Sequence, residues 1–341
     1  MKYMYNGIPV YPDVEVYPDA IAYLGGITMK EFYLCKERCA AAWSRAREKL
    51  GEHFGSLLPL PEISGPPISY GHVICLGASA EYPEDGEPNV KPIYTSIDEG
   101  IESLKKSDNR FDEHPLFHHY YELCSYLGQQ FPHENILFSG MRPQGILTTA
   151  ILLRGNDFIY DLFDFPEKVK LFLELLTDSI VEFHYFINRV NNLPKVDPES
   201  HTLFDDLASL LSPSMWTEFV IPYWNRFYAK ITTGKRYLHC ENLAPNHIGY
   251  LKDACISHYQ PSVSDQLTIE KIRANTDIPF DWLLYSYRII DMDDAQIREW
   301  VDDTLKKGIT HIRTQFGRFT CQKNKLGRIL AFYDAFGRYM A

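Results

Sequence analysis

From about residue 130 to its end the chain alternates strand-like and helix-like runs, and no other feature restricts its fold as strongly. Asn135 to Ser139 is a short apolar run of strand character, and His201 to Phe204 is the next. Arg236 to His239, Ala254 to Tyr259, Phe280 to Tyr285 and His311 to Gln315 continue the series. Between them, Pro166 to Val190 repeats apolar residues at three- and four-residue spacing, with Pro166 in the first turn, where a helix tolerates it. Ser212-Pro213 has the form of a cap and a first-turn proline, opening a helix through Tyr228. Leu267 to Asn275 reads as a further helix. Asp293 to Lys307 starts with acids, ends with Lys306 and Lys307 and is followed by Gly308, in agreement with the helix dipole. Leu326 to Tyr339 closes the chain as a helix. Repeated strand–helix units predict parallel strands joined by right-handed crossovers.

No GxGxxG and no glycine-rich phosphate loop is present, so a closed barrel is expected in place of a nucleotide-binding sheet. The 341 residues fit one α/β domain, a (β/α)8 TIM barrel over residues 71–341 with an N-terminal helical and irregular extension over residues 1–70. Within that extension Ile27 to Gly51 reads as helical and Pro59 to Pro67 as a loop; Tyr82 to Pro92 is a second, exposed loop.

Composition narrows the function classes. A hydrophobic content of 45% supports a large core, and 23% charged residues argues against disorder. The net charge of −11 disfavours nucleic acid, whose binding needs a basic surface. Seven widely spread cysteines do not form a disulfide framework. Met1 to Val10 lacks a basic flank and an apolar run, and no stretch approaches the ~18 apolar residues of a membrane span. A cytoplasmic location, with neither nucleic acid nor membrane as partner, is expected.

The chemistry concentrates at predicted strand ends. His239 and Glu241 are two residues apart after a strand, so their side chains leave it in the same direction, since faces alternate with period two. Cys321, eighty residues after Glu241, follows another strand and supplies a third donor. Zinc accepts imidazole, carboxylate and thiolate, and three protein ligands with an open fourth position mark a catalytic site. The competing reading is that such residues are scattered by chance and Cys321 is a small buried hydrophobe. Cys240 is an alternative second ligand, but in extended chain it points away from His239. Asp205 and Asp206, at the end of the strand closing with Phe204, either orient a ligand or substrate or serve as acids near a helix start. Arg142, Gln260 and Tyr287 fall in strand-to-helix loops and are candidates for substrate binding, whereas His258 and His311 are expected inside strands.

These residues resemble the uroporphyrinogen decarboxylase superfamily, and within it the cobalamin-dependent, coenzyme M-type methyltransferase branch. Ser139-Gly140-Met141-Arg142-Pro143 with Leu153-Arg154-Gly155 is similar to the family's glycine–proline segment, and Asp164 to Val169 to the helix opening after it. Phe204-Asp205-Asp206 with Leu211-Ser212-Pro213 resembles its paired-aspartate strand end. His239-Cys240-Glu241 lies where the methyltransferases carry His-x-Cys, and Cys321 where they carry their distal Cys. The resemblance implies a zinc methyltransferase. It would move a methyl group between a corrinoid (methylcobalamin or cob(I)alamin) on a partner corrinoid protein and a small-molecule donor or acceptor. Glu241 in place of a thiolate leaves zinc more Lewis acidic, which suits an oxygen- or nitrogen-bearing donor better than coenzyme M. The decarboxylase branch uses no metal, and its N-terminal arginine segment (Met-Arg-Gln-Ala-Gly-Arg) is absent. A metal-free decarboxylase or lyase is the second expectation, and a non-catalytic member that binds the corrinoid protein is the third.

Overall fold

In the computed structural model, which describes residues 2–322 and 325–340, nine strands and the helices between them build a mixed α/β fold. The strands are β1 (Tyr3–Tyr5), β2 (Ile8–Val16), β3 (Ala80–Glu81), β4 (Asn89–Val90), β5 (Ser200–Phe204), β6 (Lys235–His239), β7 (His258–Gln260), β8 (Trp282–Leu284) and β9 (His311–Phe316). One parallel ladder runs β5-β6-β7, and a second, β2-β9-β8, carries β1 antiparallel on its edge. A parallel bridge between Tyr259 and Phe280 joins the two, so six strands run in one direction around a shared interior. At the far side the Gly145 N–H donates to the Phe204 carbonyl (2.6 Å), and a parallel bridge links Ile68 to Met141. Strands β3 and β4 form a separate antiparallel pair.

Two expectations are corrected. Residues 8–16 are not part of a capping extension: β2 pairs in parallel with β9 from Tyr11↔His311 to Val16↔Phe316 and lies within the sheet. Pro9 and Pro12 conceal it, since proline inside a run argues against a strand when only the sequence is read. Helices follow at Pro18–Gly25, Met29–Leu34 and Lys36–Phe54, the last two dividing the expected helix at the extended Cys35. Asn135 to Ser139 forms no strand. The Asn191 side chain accepts from the Phe138 N–H (2.8 Å) and donates to the Phe138 carbonyl (2.9 Å), taking both groups a ladder would need.

The later elements form close to where they were expected. The Pro166–Val190 helix buries Val169, Phe172, Leu173, Leu176, Ile180 and Phe183, the apolar stripe at helical spacing. The expected helix after Ser212 is divided at Val220 into Trp216–Phe219 and Ile221–Ile231. Pro222 is the cause, because it lacks an N–H and its ring clashes with the carbonyl four residues earlier. The Asp294–Lys306 helix starts on a capping box between Asp293 and Gln296. No helix among the described residues is long and apolar enough to cross a membrane.

Strand alternation sorts residues between two environments. Val14, Leu203, Leu238, Tyr259, Leu284, Ile312 and Phe316 point outward and are buried in the core. Glu15, Phe204, His239, Gln260, Arg313 and Gln315, on the other face, converge on a shared cavity at the C-terminal ends of the parallel strands.

Candidate active site

The cavity holds about 320 Å³, and Tyr17, Glu87, Arg142, Gln144, Asp206, Glu241 and Asp281 complete its polar wall. His239 is the last residue of β6, and the register sets it beside Phe204 of β5 and Gln260 of β7. Its Nδ1 lies 2.5 Å from Gln260 Oε1, and the Phe204 ring covers one side at 5.2 Å. Nε2 faces Asp206 Oδ1 at 3.5 Å and Glu241 Oε1 at 3.9 Å. Asp206 Oδ1 also accepts the Glu241 N–H (2.9 Å), holding the turn that follows β6.

An acceptor at Nδ1 places a proton on that nitrogen, and the ring then directs Nε2 between two carboxylates. Three acceptors facing one another suit a cation. Among the described residues, however, no three His, Cys, Asp or Glu side chains are gathered closely enough to hold a metal ion as they stand. The separations of 3.5 and 3.9 Å compare with roughly 3.3 Å between donors around tetrahedral zinc at bond lengths of ~2.0–2.1 Å.

Cys321 does not line this cavity. After β9 the chain turns into a short helix, Arg318–Gln322, which packs on the Pro18–Gly25 helix. The Cys321 side chain is carried to that apolar contact, away from the strand end. Burial, then the nearby Asp19 carboxylate, pushes its thiol up to about 12. Cys240 is fully buried on the side opposite His239, its Sγ 3.1 Å from the Asp205 carbonyl oxygen. Burial raises its thiol well above the usual range, and the Asp206, Asp205 and Glu241 carboxylates add to the effect.

The aspartate pair divides by strand geometry. Asp206 faces the cavity, whereas Asp205 is fully buried behind it. Its carboxylate accepts the N–H groups of Leu147 (3.2 Å) and Thr148 (2.7 Å), capping the Ile146–Arg154 helix, and that of Trp224 Nε1 (2.7 Å). Gly145 makes this approach possible, since a Cβ there would lie 2.3 Å from the Asp205 Cβ. Burial pushes Asp205 up to about 6, opposed by those donors. Arg142 and Gln260 line the cavity. Tyr287 does not; it is exposed and stacked on Tyr285 at 5.2 Å.

Sequence reasoning missed Asp281, Arg313, Glu15, Tyr17 and Glu87. Asp281 accepts from Gln260 Nε2 (3.1 Å) and contacts His258 Nε2 (2.6 Å). Arg313 pairs with Asp13 (3.1 Å), Glu15 (3.0 Å) and Asp281 (3.6 Å), so its charge is taken up within the wall. Period-two alternation within His311 to Gln315 would have put Arg313 on the same face as Gln315. Glu15 had no such signal, because its strand was not recognised. Five carboxylates (Glu15, Glu87, Asp206, Glu241, Asp281) thus face a cavity with two guanidinium groups, Arg142 and the neutralised Arg313.

The comparisons with known proteins agree with this architecture. The family model described as Uroporphyrinogen decarboxylase (URO-D) matches residues 72–272, more than half of the chain, a span that includes Arg142, Asp205, Asp206, His239, Glu241 and Gln260. No curated protein matches the chain significantly. The chain belongs to the uroporphyrinogen decarboxylase (URO-D) family.

Proposed function

We propose that the chain transfers a methyl group between a corrinoid carried by a partner protein and a small molecule, on a (β/α)8-type barrel. One zinc ion would be held by His239, Glu241 and Asp206. The observation that carries this reading is Nε2 of His239 directed between two carboxylates at the strand ends. Zinc bound there would supply Lewis acidity, lowering the pKa of a thiol or hydroxyl or polarising a methyl donor.

The chain's own residues supply position and selection. Gln260 orients the His239 ring, and Asp206 ties the turn carrying Glu241. Phe204, half exposed, gives the cavity an apolar side against which a methyl group can rest. At about 320 Å³ the cavity is at the small end for ligand sites, which favours a small substrate inside and the corrinoid at the mouth. With Asp206 and Glu241 on zinc, Glu15, Glu87 and Asp281 keep the wall acidic, and one carboxylate about 6 Å from an anionic substrate opposes it by roughly 3 kcal/mol at an effective dielectric of about 20. A neutral or cationic methyl donor bearing oxygen or nitrogen is favoured over the sulfonate of coenzyme M.

The same wall weighs against a metal-free decarboxylase acting on a tetrapyrrole. Several substrate carboxylates would need cations, and Arg313 is already paired three times. Purified protein tests the proposal by elemental analysis and by following the cob(I)alamin absorbance with a panel of methylated amines, ethers and thiols. About one zinc per chain and consumption of cob(I)alamin with a neutral or cationic donor are expected. Full zinc without corrinoid turnover on any donor would move the reading to the non-catalytic, corrinoid-protein-binding member.

A further inference from the structure

A belt of side chains crosses the parallel strands along the cavity wall, and its geometry orients His239. Asp281 Oδ2 can only accept a hydrogen bond while ionised, so it draws the N–H2 side of the Gln260 amide towards it (3.1 Å). The amide oxygen is thereby turned to His239 Nδ1 at 2.5 Å. The opposite imidazole tautomer would need Gln260 reversed, with its oxygen against the Asp281 carboxylate, two acceptors in contact. Asp281 is itself held at Oδ1 by His258 Nε2 (2.6 Å), and its Oδ2 also lies 3.6 Å from Arg313 Nη1. Arg313 is fixed in turn by Asp13 and Glu15 on β2. The pairings His239↔Gln260 and Asp13↔Arg313 are set by the sheet register, so the belt is built into the strand order.

We propose that Asp281 is a positioning residue: through the Gln260 amide it fixes a proton of His239 on Nδ1, so that in the neutral imidazole the lone pair lies on Nε2 and faces the cavity. The use made of that lone pair rests on the function proposed above; the tautomer does not. A carboxylate or amide behind a functional imidazole commonly fixes its tautomer and ring orientation, and here the control passes through two groups in series.

The test is the ring-nitrogen spectrum of His239. The full chain, labelled with 15N-histidine, is examined by long-range 1H–15N NMR at pH 8, above the ordinary imidazole range, before and after chelation. The signal is assigned by its loss in His239→Gln. The wild-type protein should show a protonated Nδ1 and an unprotonated Nε2. Asp281→Asn offers an N–H2 group to Gln260, allows the amide to reverse, and should exchange the two nitrogen shifts towards the Nε2–H form. Adding Gln260→Glu to that variant restores an acceptor beside Nδ1 and should bring the wild-type pattern back. A wild-type spectrum with Nδ1 unprotonated would overturn the proposal, as would an unchanged pattern in folded Asp281→Asn. If that variant does not fold, the wild-type spectrum and the double variant still decide. Because chelated protein gives the same readout, absence of zinc or of methyl transfer would count against the proposed function and leave this result intact.

Discussion

Replacing Asp205 by Asn tests whether this residue acts by holding the fold or by taking part in the site. In the native protein its two oxygens accept three hydrogen bonds, from the Leu147 and Thr148 N–H groups and from Trp224 Nε1. Asparagine keeps one oxygen. Its better orientation leaves the oxygen with Leu147 and Trp224 and turns the N–H2 towards the Thr148 N–H, where two donors meet. One charge-assisted hydrogen bond is lost and its donor is left buried and unpaired, which costs about 1–3 kcal/mol. The expected destabilisation is therefore about 1–3 kcal/mol, with the cap of the Ile146–Arg154 helix as the weakened element. Urea unfolding followed by tryptophan fluorescence reads it directly, because Trp224 belongs to the network. Metal content per folded chain should not change. A loss of stability below about 0.5 kcal/mol, on the scale of an ordinary surface substitution, would refute the structural assignment. Loss of metal at unchanged stability would return Asp205 to the site.

Further expectations follow from the same geometry. Cys321→Ser should leave metal content and any methyl transfer near wild type, whereas His239→Ala and Asp206→Asn should each lower metal occupancy; elemental analysis of the three variants distinguishes a carboxylate set from one using the distal thiol. Cys240→Ser should likewise retain metal, since its Sγ is directed at the Asp205 carbonyl. Burial depresses His72 to about 3 and His201 to about 4. The unfolded chain then takes up protons that the native one refuses, so stability falls as pH drops below the ordinary histidine value of about 6.5 and goes on falling towards those native values. Each of the two should contribute a loss of about 2 kcal/mol between pH 7.5 and 5, and urea midpoints across that range should show a shallower slope in His201→Phe than in the wild type. Removing two of the five wall carboxylates with Glu241→Gln and Asp206→Asn together should improve entry of anionic thiols while lowering metal content, measured by competition binding and elemental analysis.

Local spacing was enough for much of this molecule. The Pro166–Val190 helix, the strands ending at Phe204 and His239, and the shared direction of His239 and Glu241 all follow from periods of 3.6 and two that act over a few residues. Cys240 pointing away from His239 follows from the same alternation. Contacts between distant segments carry no such signature. β2 becomes a sheet strand only because β9, some three hundred residues later, offers it a partner, and that pairing brings Glu15 and Tyr17 into the cavity. Asn135 to Ser139 has strand composition, yet one side chain from the end of a distant helix, Asn191, takes its backbone groups. Cys321 has the right position in the sequence for a ligand, but the short helix after β9 turns it to an apolar interface. Asp205 and Asp206 are neighbours of identical chemistry; the helix end behind one and the cavity before the other give them different work. The sequence by itself determined which way each side chain leaves its strand, because that depends on backbone geometry alone. What each side chain then meets depends on register and packing between segments far apart in the chain, and only the tertiary structure decided it.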